Sequence, residues 1–358
     1  MDFFGKAFLH APLNIETVSL LGKINHYQGQ LEVYEKEFPT TFHKLQQSTR
    51  HKHIKCFINM YQGMNLSNTR LKTLIEQDRF PQNSLEEEIT CYHDAFTLIH
   101  DQYNLLPINV TTILEIHFQL FKYATSDSGT FRHHDIICHG FSHKNVPMSH
   151  HQALPAINVP IYLEKLCIEY DQLLSNSRID FILLIVNFIF HFTCIVPFDK
   201  GNGRVARLLL CLLLLKGKYS VVKYISLDSI IKKFENSYYE ALYKSSANWF
   251  SQEHNLTFIT EGLLRIIHAA YEELHTNLIH YPVDGKRKIQ LRDYILKQQS
   301  IFSKEDIRQI FPTVSESMLQ RTFQCLQEEK KIRFCCKVIK AKLKCKKTDS
   351  RGRMREIF

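Results

Sequence analysis

The sequence predicts a mainly α-helical protein that closes with a smaller region mixing helix and strand. Three observations carry this. Apolar residues recur at spacings of three and four through residues 1–125 and again from Val221 to Thr276. Two long apolar runs joined by a polar hinge fill Phe181 to Leu215. Only between Lys331 and Lys347 does the period fall to two, with Ala341, Leu343 and Cys345 set between Lys340, Lys342, Lys344 and Lys346, as in a half-buried strand pair. At 358 residues the chain is long enough for two or three units, each with its own core. With 44% hydrophobic and 23% charged residues it has an ordinary globular composition, which excludes a disordered chain.

Taken in order, Leu20, Ile24, Tyr27, Leu31 and Tyr34 make a helical stripe near the start. Residues 124–160 are the longest irregular segment, and a loop of that length inside a compact domain usually serves function. It holds His133, His134, His139, His143, His150 and His151, with Cys138 among them. A metal site is conceivable, since His and Cys are zinc ligands, but the spacing fits no template and solvated loop histidines are the better reading. No metal is therefore assigned.

Within Phe181 to Leu215, Pro197 stops the first helix because it lacks an N–H and crowds the preceding turn. Asn202 and Gly203 suit the cap region of a new helix beginning near Arg204. Unpaired amides at such a start, with the helix dipole behind them, attract anions. Arg204 and Arg207 share one face of the first turn, where forked hydrogen bonds to phosphate are available to both. Asn187, His191 and the hinge argue against a membrane hairpin, and the run from Leu208 to Leu215 is too short to cross a bilayer.

His280 to Gly285 reads as a turn-rich linker. Beyond it a short helix is expected at Lys288–Gln298, a second opened by the capping box Ser303/Asp306, and a third opened by Thr313/Glu316 and running to about Glu328. The ten cysteines form no CxxC pair, which points to free thiols in a reducing compartment. The net charge of +9 belongs to the tail. Residues 330–358 carry +10 and residues 1–329 carry −1, so any nucleic-acid or acidic-surface contact is expected there. No basic segment followed by an apolar core opens the chain, and a cytoplasmic protein is expected, working in its own cell or delivered to another.

The segment Val196-Pro-Phe-Asp-Lys-Gly-Asn-Gly-Arg-Val-Ala-Arg207 resembles the signature of the Fic (Fido-fold) family, His-Pro-Phe-x-Asp/Glu-Gly-Asn-Gly-Arg-x-x-Arg. Pro197, Phe198, Gly201, Asn202, Gly203, Arg204 and Arg207 match. The family's histidine, its general base, is Val196 here, and its metal-binding carboxylate is Lys200. Gly129, Thr130, Phe131 and Arg132 resemble the opening of the family's flap, a β-hairpin that lies over the active site and holds the target polypeptide. Tyr238 and Tyr239 resemble its YY-x-x-L helix, whose aromatics approach adenine, although core packing is an even alternative. Gln62 and Gly63 are the nearest match to a regulatory Glu-Gly whose glutamate pairs with the second motif arginine. An ordinary amphipathic helix explains that stretch equally well.

The resemblance implies a Fic helical core with a short β-hairpin flap, followed by a C-terminal winged-helix domain. Its parts would be 1–110 (helical, with a degenerate inhibitory helix), 111–279 (core) and 286–358 (winged helix and basic tail). The family transfers AMP from ATP to a hydroxyl of a target protein. Carried over, Gly201, Asn202, Gly203, Arg204, Arg207, Lys200 and Tyr239 would hold ATP or another nucleotide, with Mg²⁺ doubtful because Lys200 replaces its ligand. Val196 accepts no proton, and losing a positioned base costs ~10²–10⁴ in rate. His191 stands five residues earlier, roughly 140° around the helix, and reads as a core histidine. Asp199 is the nearest substitute. Three functions stay open: a nucleotide- or phosphate-binding pseudoenzyme, which the losses favour; an active transferase with Asp199 or a flap histidine as base; and a DNA-binding regulator. In the last, Gln320, Arg321, Gln324 and Gln327 of the third helix would face a groove. A protein target through the flap, possible DNA at the C-terminal end and no membrane complete the expected partners.

Overall fold

The computed structural model describes residues 2–9, 13–61, 67–76, 80–123, 127–141, 147–174, 179–280, 285–298, 302–312, 314, 316–334 and 342–345. These fall into two compact units, Met1–Leu274 and His275–Phe358. The first is helical: α1 (Lys6–Leu9), α2 (Ile15–Glu37), α3 (Pro39–Tyr61), α4 (Asn68–Glu76), α5 (Ser84–Gln102) and α6 (Val110–Phe121) precede a hairpin of β1 (Ile137–Phe141) and β2 (Pro147–Gln152). Then come α7 (Val159–Leu174), α8 (Phe181–Ile195), α9 (Asn202–Lys216), α10 (Leu227–Lys233), α11 (Glu235–Ser246) and α12 (Thr257–His280), whose last residues fall in the second unit.

The core lies along α8 and α9. Both apolar runs are buried on nearly every face, as a helix that is hydrophobic all round must be. α8 packs between α7 and α9, and α9 in turn against α5 and α6, while α3 packs on α10 and α5. Asparagines start three of these helices: Asn14, Asn83 and Asn109 each accept the backbone N–H three residues on. The stripe on α2 is buried at Leu20, Ile24 and Leu31, with Tyr27 and Tyr34 at its edge.

The hairpin pairs antiparallel, Ile137 opposite Gln152 and Phe141 opposite Pro147, with an irregularity between Cys138 and Gly140. It occupies the middle of the segment expected to be irregular, and among the described residues the first unit is a mainly helical fold that carries this short hairpin. His133 and His134 are exposed at its base; His143 lies outside the described residues. No group of residues with metal-ligand geometry occurs among the described residues. Among them, too, no helix is long and apolar enough to cross a membrane.

The second unit places α13 (Gly285–Lys297), β3 (Phe302–Ser303), α14 (Lys304–Ile310), α15 (Glu316–Glu328), β4 (Ile332–Phe334) and β5 (Lys342–Cys345) in that order. β5 is central in an antiparallel sheet, between β3 and β4. Its core is Leu291, Ile295, Phe302, Ile307, Leu319, Phe323, Leu326 and Ile332. The capping box of Ser303 and Asp306 forms in full. α15 starts at Glu316 itself rather than three residues before it, and Thr313 lies outside the described residues. Gln320, Arg321 and Gln324 are exposed along α15 and Gln327 is half-buried.

Candidate functional site

Helix α8 ends at Ile195, and Val196 turns the chain in a left-handed conformation with φ 50°. That conformation is uncommon for any residue with a Cβ and is an outlier for a β-branched one. It reverses the chain into Pro197 and delivers the hinge to the start of α9. The side chain of Val196 is buried and offers only hydrocarbon.

Arg132 holds this turn from behind. Its Nε donates to the Val196 carbonyl at 2.7 Å and its Nη1 to the His134 carbonyl at 2.9 Å, while Nη2 reaches the Leu154 carbonyl. Its own N–H donates to the Pro197 carbonyl at 3.0 Å. A planar guanidinium suits this task, because its donors leave in fixed, divergent directions. Arg132 is thus a buried clasp tying both roots of the hairpin to the end of α8. Gly129 and Thr130 form a turn beside it, with Gly129 at φ 75° and the Thr130 hydroxyl donating to the Asp127 carbonyl.

The hinge is closed by Asn202, whose Nδ2 donates to the Phe198 carbonyl at 2.7 Å and whose Oδ1 accepts from the Phe198 N–H at 3.0 Å. This corrects the sequence expectation: α9 begins at Asn202, the capping position is Gly201, and the asparagine is spent on the loop rather than on the helix. Gly201 has φ 81°, and a Cβ there would run into the Phe121 ring. Phe198 is fully buried and stacks on His117, with centroids 3.8 Å apart and planes within 5°.

His117, which sequence reasoning did not single out, is the imidazole joined to the hinge. Its Nδ1 accepts from the Gly129 N–H at 3.0 Å, which leaves Nε2–H facing the Lys200 carbonyl at 3.2 Å. Burial pushes its pKa down. Both nitrogens are engaged in structure. His191 is likewise buried in the core, with the Trp249 indole N–H donating to its Nδ1 at 2.9 Å, as the helical phase implied. Asp199 and Lys200 are exposed at the hinge tip.

The two motif arginines both meet carboxylates. Arg204 pairs with Glu88 at 3.2 Å and lies over the rings of Phe57 and Phe121, at 5.1 and 5.6 Å. Arg207 is buried beneath the first turn of α9, so close that a Cβ on Gly203 would come within 3.3 Å of Nη1. Its Nε lies 2.6 Å from Oδ1 of Asp228, which is also buried, and the Tyr92 hydroxyl donates to the other oxygen of that carboxylate. Burial, and then the Asp228 charge, raise the Tyr92 pKa well above the phenolic range, so the hydroxyl keeps its proton. Phe57 of α3 stacks on Tyr92 with centroids 4.2 Å apart. Tyr238 is buried and Tyr239, next to it, is 43% exposed.

The structure therefore brings Val196, Gly201, Asn202, Gly203, Arg204 and Arg207 to one hinge, with Arg132 and Gly129 behind it. Gln62 and Gly63 lie outside the described residues. Glu88, Tyr92 and Asp228 had no signal in the sequence, since each partner stands far along the chain and Asp228 looks like any acidic residue in a helix's first turn.

Residues 107–214 match the sequence profile of the Fic/DOC family. The whole fold is similar to that of a Fic family protein from Desulfovibrio desulfuricans G20, with a TM-score of 0.59 at 18% identity, over 95% of this chain and 98% of that one. A Fic domain containing signaling protein from Bacteroides thetaiotaomicron VPI-5482 aligns with a TM-score of 0.50 at 16% identity, over 72% and 94%. A single-residue variant of C. elegans Fic-1 (aa134–508) aligns with a TM-score of 0.51 at 19% identity, over 73% and 74%. No protein in the search of curated sequences matches the chain at a significant level. The stretch that matches the Fic/DOC profile thus runs from just before α6 to near the end of α9 and contains the whole hinge between α8 and α9.

Proposed function

We propose that this Fic-type domain binds a nucleotide at the start of α9 and does not transfer AMP. One observation carries the reading: the position of the family's general base is a buried valine whose backbone is fixed by Arg132, and the imidazole joined to the hinge, His117, has both nitrogens committed. The anion-attracting part is retained, because the Asn202–Phe198 loop sets the first turn of α9 with Arg204 above it. Lys200, exposed where the family has a carboxylate, would set an ammonium against phosphate in place of Mg²⁺. Tyr239, exposed beside the buried Tyr238, would meet the base, and the hairpin would meet a protein partner by strand pairing. Titration of the whole chain with AMP and ADP, without and with Mg²⁺, tests this. Saturable binding that is indifferent to Mg²⁺ supports it, and no binding to the folded protein contradicts it.

A second reading concerns the C-terminal unit. Its order of helix, strand, two helices and two strands, with Gln320, Arg321 and Gln324 exposed on the third helix, favours a winged-helix module that contacts DNA. Deletion from residue 330 would remove β4 and β5 and unfold the unit, so the informative truncation ends at Cys345. It should weaken salt-sensitive DNA retention, and Arg321→Ala should weaken it further.

A further inference from the structure

We propose that a cavity at the end of α8 remote from the hinge binds a protonated organic amine with an apolar body. The site is separate from the proposed nucleotide site and does not depend on it. The cavity measures about 730 Å³, the size of a small-molecule site, and lies between the N-terminal arm (residues 2–9), the start of α2, the first half of α8 and the loop before α12. Asn187 meets it from α8 eight residues before Ile195, roughly 12 Å along the helix axis. Asp180, which caps α8, lines it farther still from the hinge. The arm that forms one wall is fastened at Phe3: its N–H donates to Glu169 and its carbonyl accepts from Asn187 Nδ2, both at 2.9 Å.

Two observations give the ligand its chemistry. The first is a pair of buried polar atoms on residues of the cavity wall. Asn187 is 1% exposed, and with Nδ2 spent on Phe3 its Oδ1 has no hydrogen-bond partner. Nδ1 of His254, on the same wall, has none either. The two side chains are linked through His191, which shares the Asn187 face of α8 and lies 5.3 Å, ring to ring, from His254. A buried acceptor left unpaired costs free energy, so the group that fits here donates N–H or O–H. The second observation is charge. Among the described residues lining the cavity the charged ones are Asp2 and Asp180, with neither lysine nor arginine. Burial pushes the His254 pKa down, so that ring brings no positive charge at neutral pH. Helices α2, α8 and α12 all start here, and their dipoles favour an anion. One amide at each start is already taken, however: Asn14 accepts from Thr17, Asp180 from Ile182 and Asn255 from Thr257. Two full carboxylate charges outweigh the partial charges that remain. Phe3, Phe8, Leu9, Leu21 and Leu183 give the apolar surface for the body of the ligand.

The test is calorimetric titration of the whole chain with 4-phenylbutylamine, 4-phenylbutanol and 4-phenylbutanoate, which share one apolar body and differ in charge. The amine should bind saturably and at least about tenfold more tightly than either of the others. Asp180→Asn keeps an oxygen for the Ile182 N–H while removing one charge, and should cut the preference for amine over alcohol by about threefold or more. Leu183→Trp fills the cavity and should abolish binding of the amine. Equal binding of all three probes would mean apolar partition alone, and tighter binding of the butanoate would mean that the helix starts govern; either result overturns the proposal. So does amine binding that survives unchanged in Leu183→Trp, or the lack of saturable amine binding up to about 10 mM. If Leu183→Trp does not fold, Asp180→Asn decides: a reduced preference for the amine supports the site and an unchanged one overturns it.

Discussion

Gly201 in the hinge and Arg132 behind it bear on stability in ways that single substitutions expose. Gly201 combines φ 81° with the Phe121 ring in the space a Cβ would fill. Gly201→Ala should therefore lower unfolding free energy by about 2–4 kcal/mol, from the left-handed penalty and the displaced ring together, measured by denaturant unfolding. Arg132 saturates a set of buried carbonyls that no lysine could reach at once. Both Arg132→Met and Arg132→Lys should cost about 3 kcal/mol or more, and a lysine variant as stable as the wild type would show that the fork is unnecessary. Asn202 was legible as a helix-start residue, yet its amide proved to close the preceding loop on Phe198. A local sequence pattern marks the place where a polar side chain caps something. It does not say which of two adjacent backbones takes the bond.

At the scale of elements, α8, the hinge and α9 were legible because composition alone dictates them: two helices apolar on all sides have one place to go, and a proline divides them. The hairpin was legible only as a long polar segment, since its strands Ile137–Phe141 and Pro147–Gln152 lack a clean period of two and carry a register irregularity. Asp228 was invisible for a different reason. Its partners Arg207 and Tyr92 come from α9 and α5, and sequence periodicity describes faces of single helices, not which faces meet. The proposed nucleotide site makes a constructive prediction. Val196→His with Lys200→Asp should return measurable self-labelling from ATP, recovering part of the ~10²–10⁴ that a positioned base supplies. Silence from a folded double variant would mean that the hinge differs from a transferase site in more than those two side chains.

For the whole molecule, the buried histidines set a pH limit. His53 is pushed down to about 4, and His100 and His191 also lie below the ordinary imidazole range, in each case chiefly through burial. A lowered folded-state pKa means the unfolded chain binds the proton first, so stability rises with pH across the interval. Between pH 6.5 and 4 the protein should lose about 3 kcal/mol through His53 alone, with further loss from the other two. Thermal unfolding against pH should show this decline, flattened in His53→Phe; a Tm constant from pH 7 to 5 would contradict it. The C-terminal unit was legible in outline, through one capping box and a change of period, because short amphipathic helices around a small core leave a clear pattern.

In the proposed function, a turn suited to phosphate at the start of α9 stands beside a buried valine that accepts no proton. The most direct measurement is incubation of the purified wild type with radiolabelled ATP and Mg²⁺, alone and with lysate as a source of targets. No covalent label is expected on the protein or on any target beyond that seen with heat-denatured chain. Robust label that disappears on substitution of Asp199 or Lys200 would contradict it.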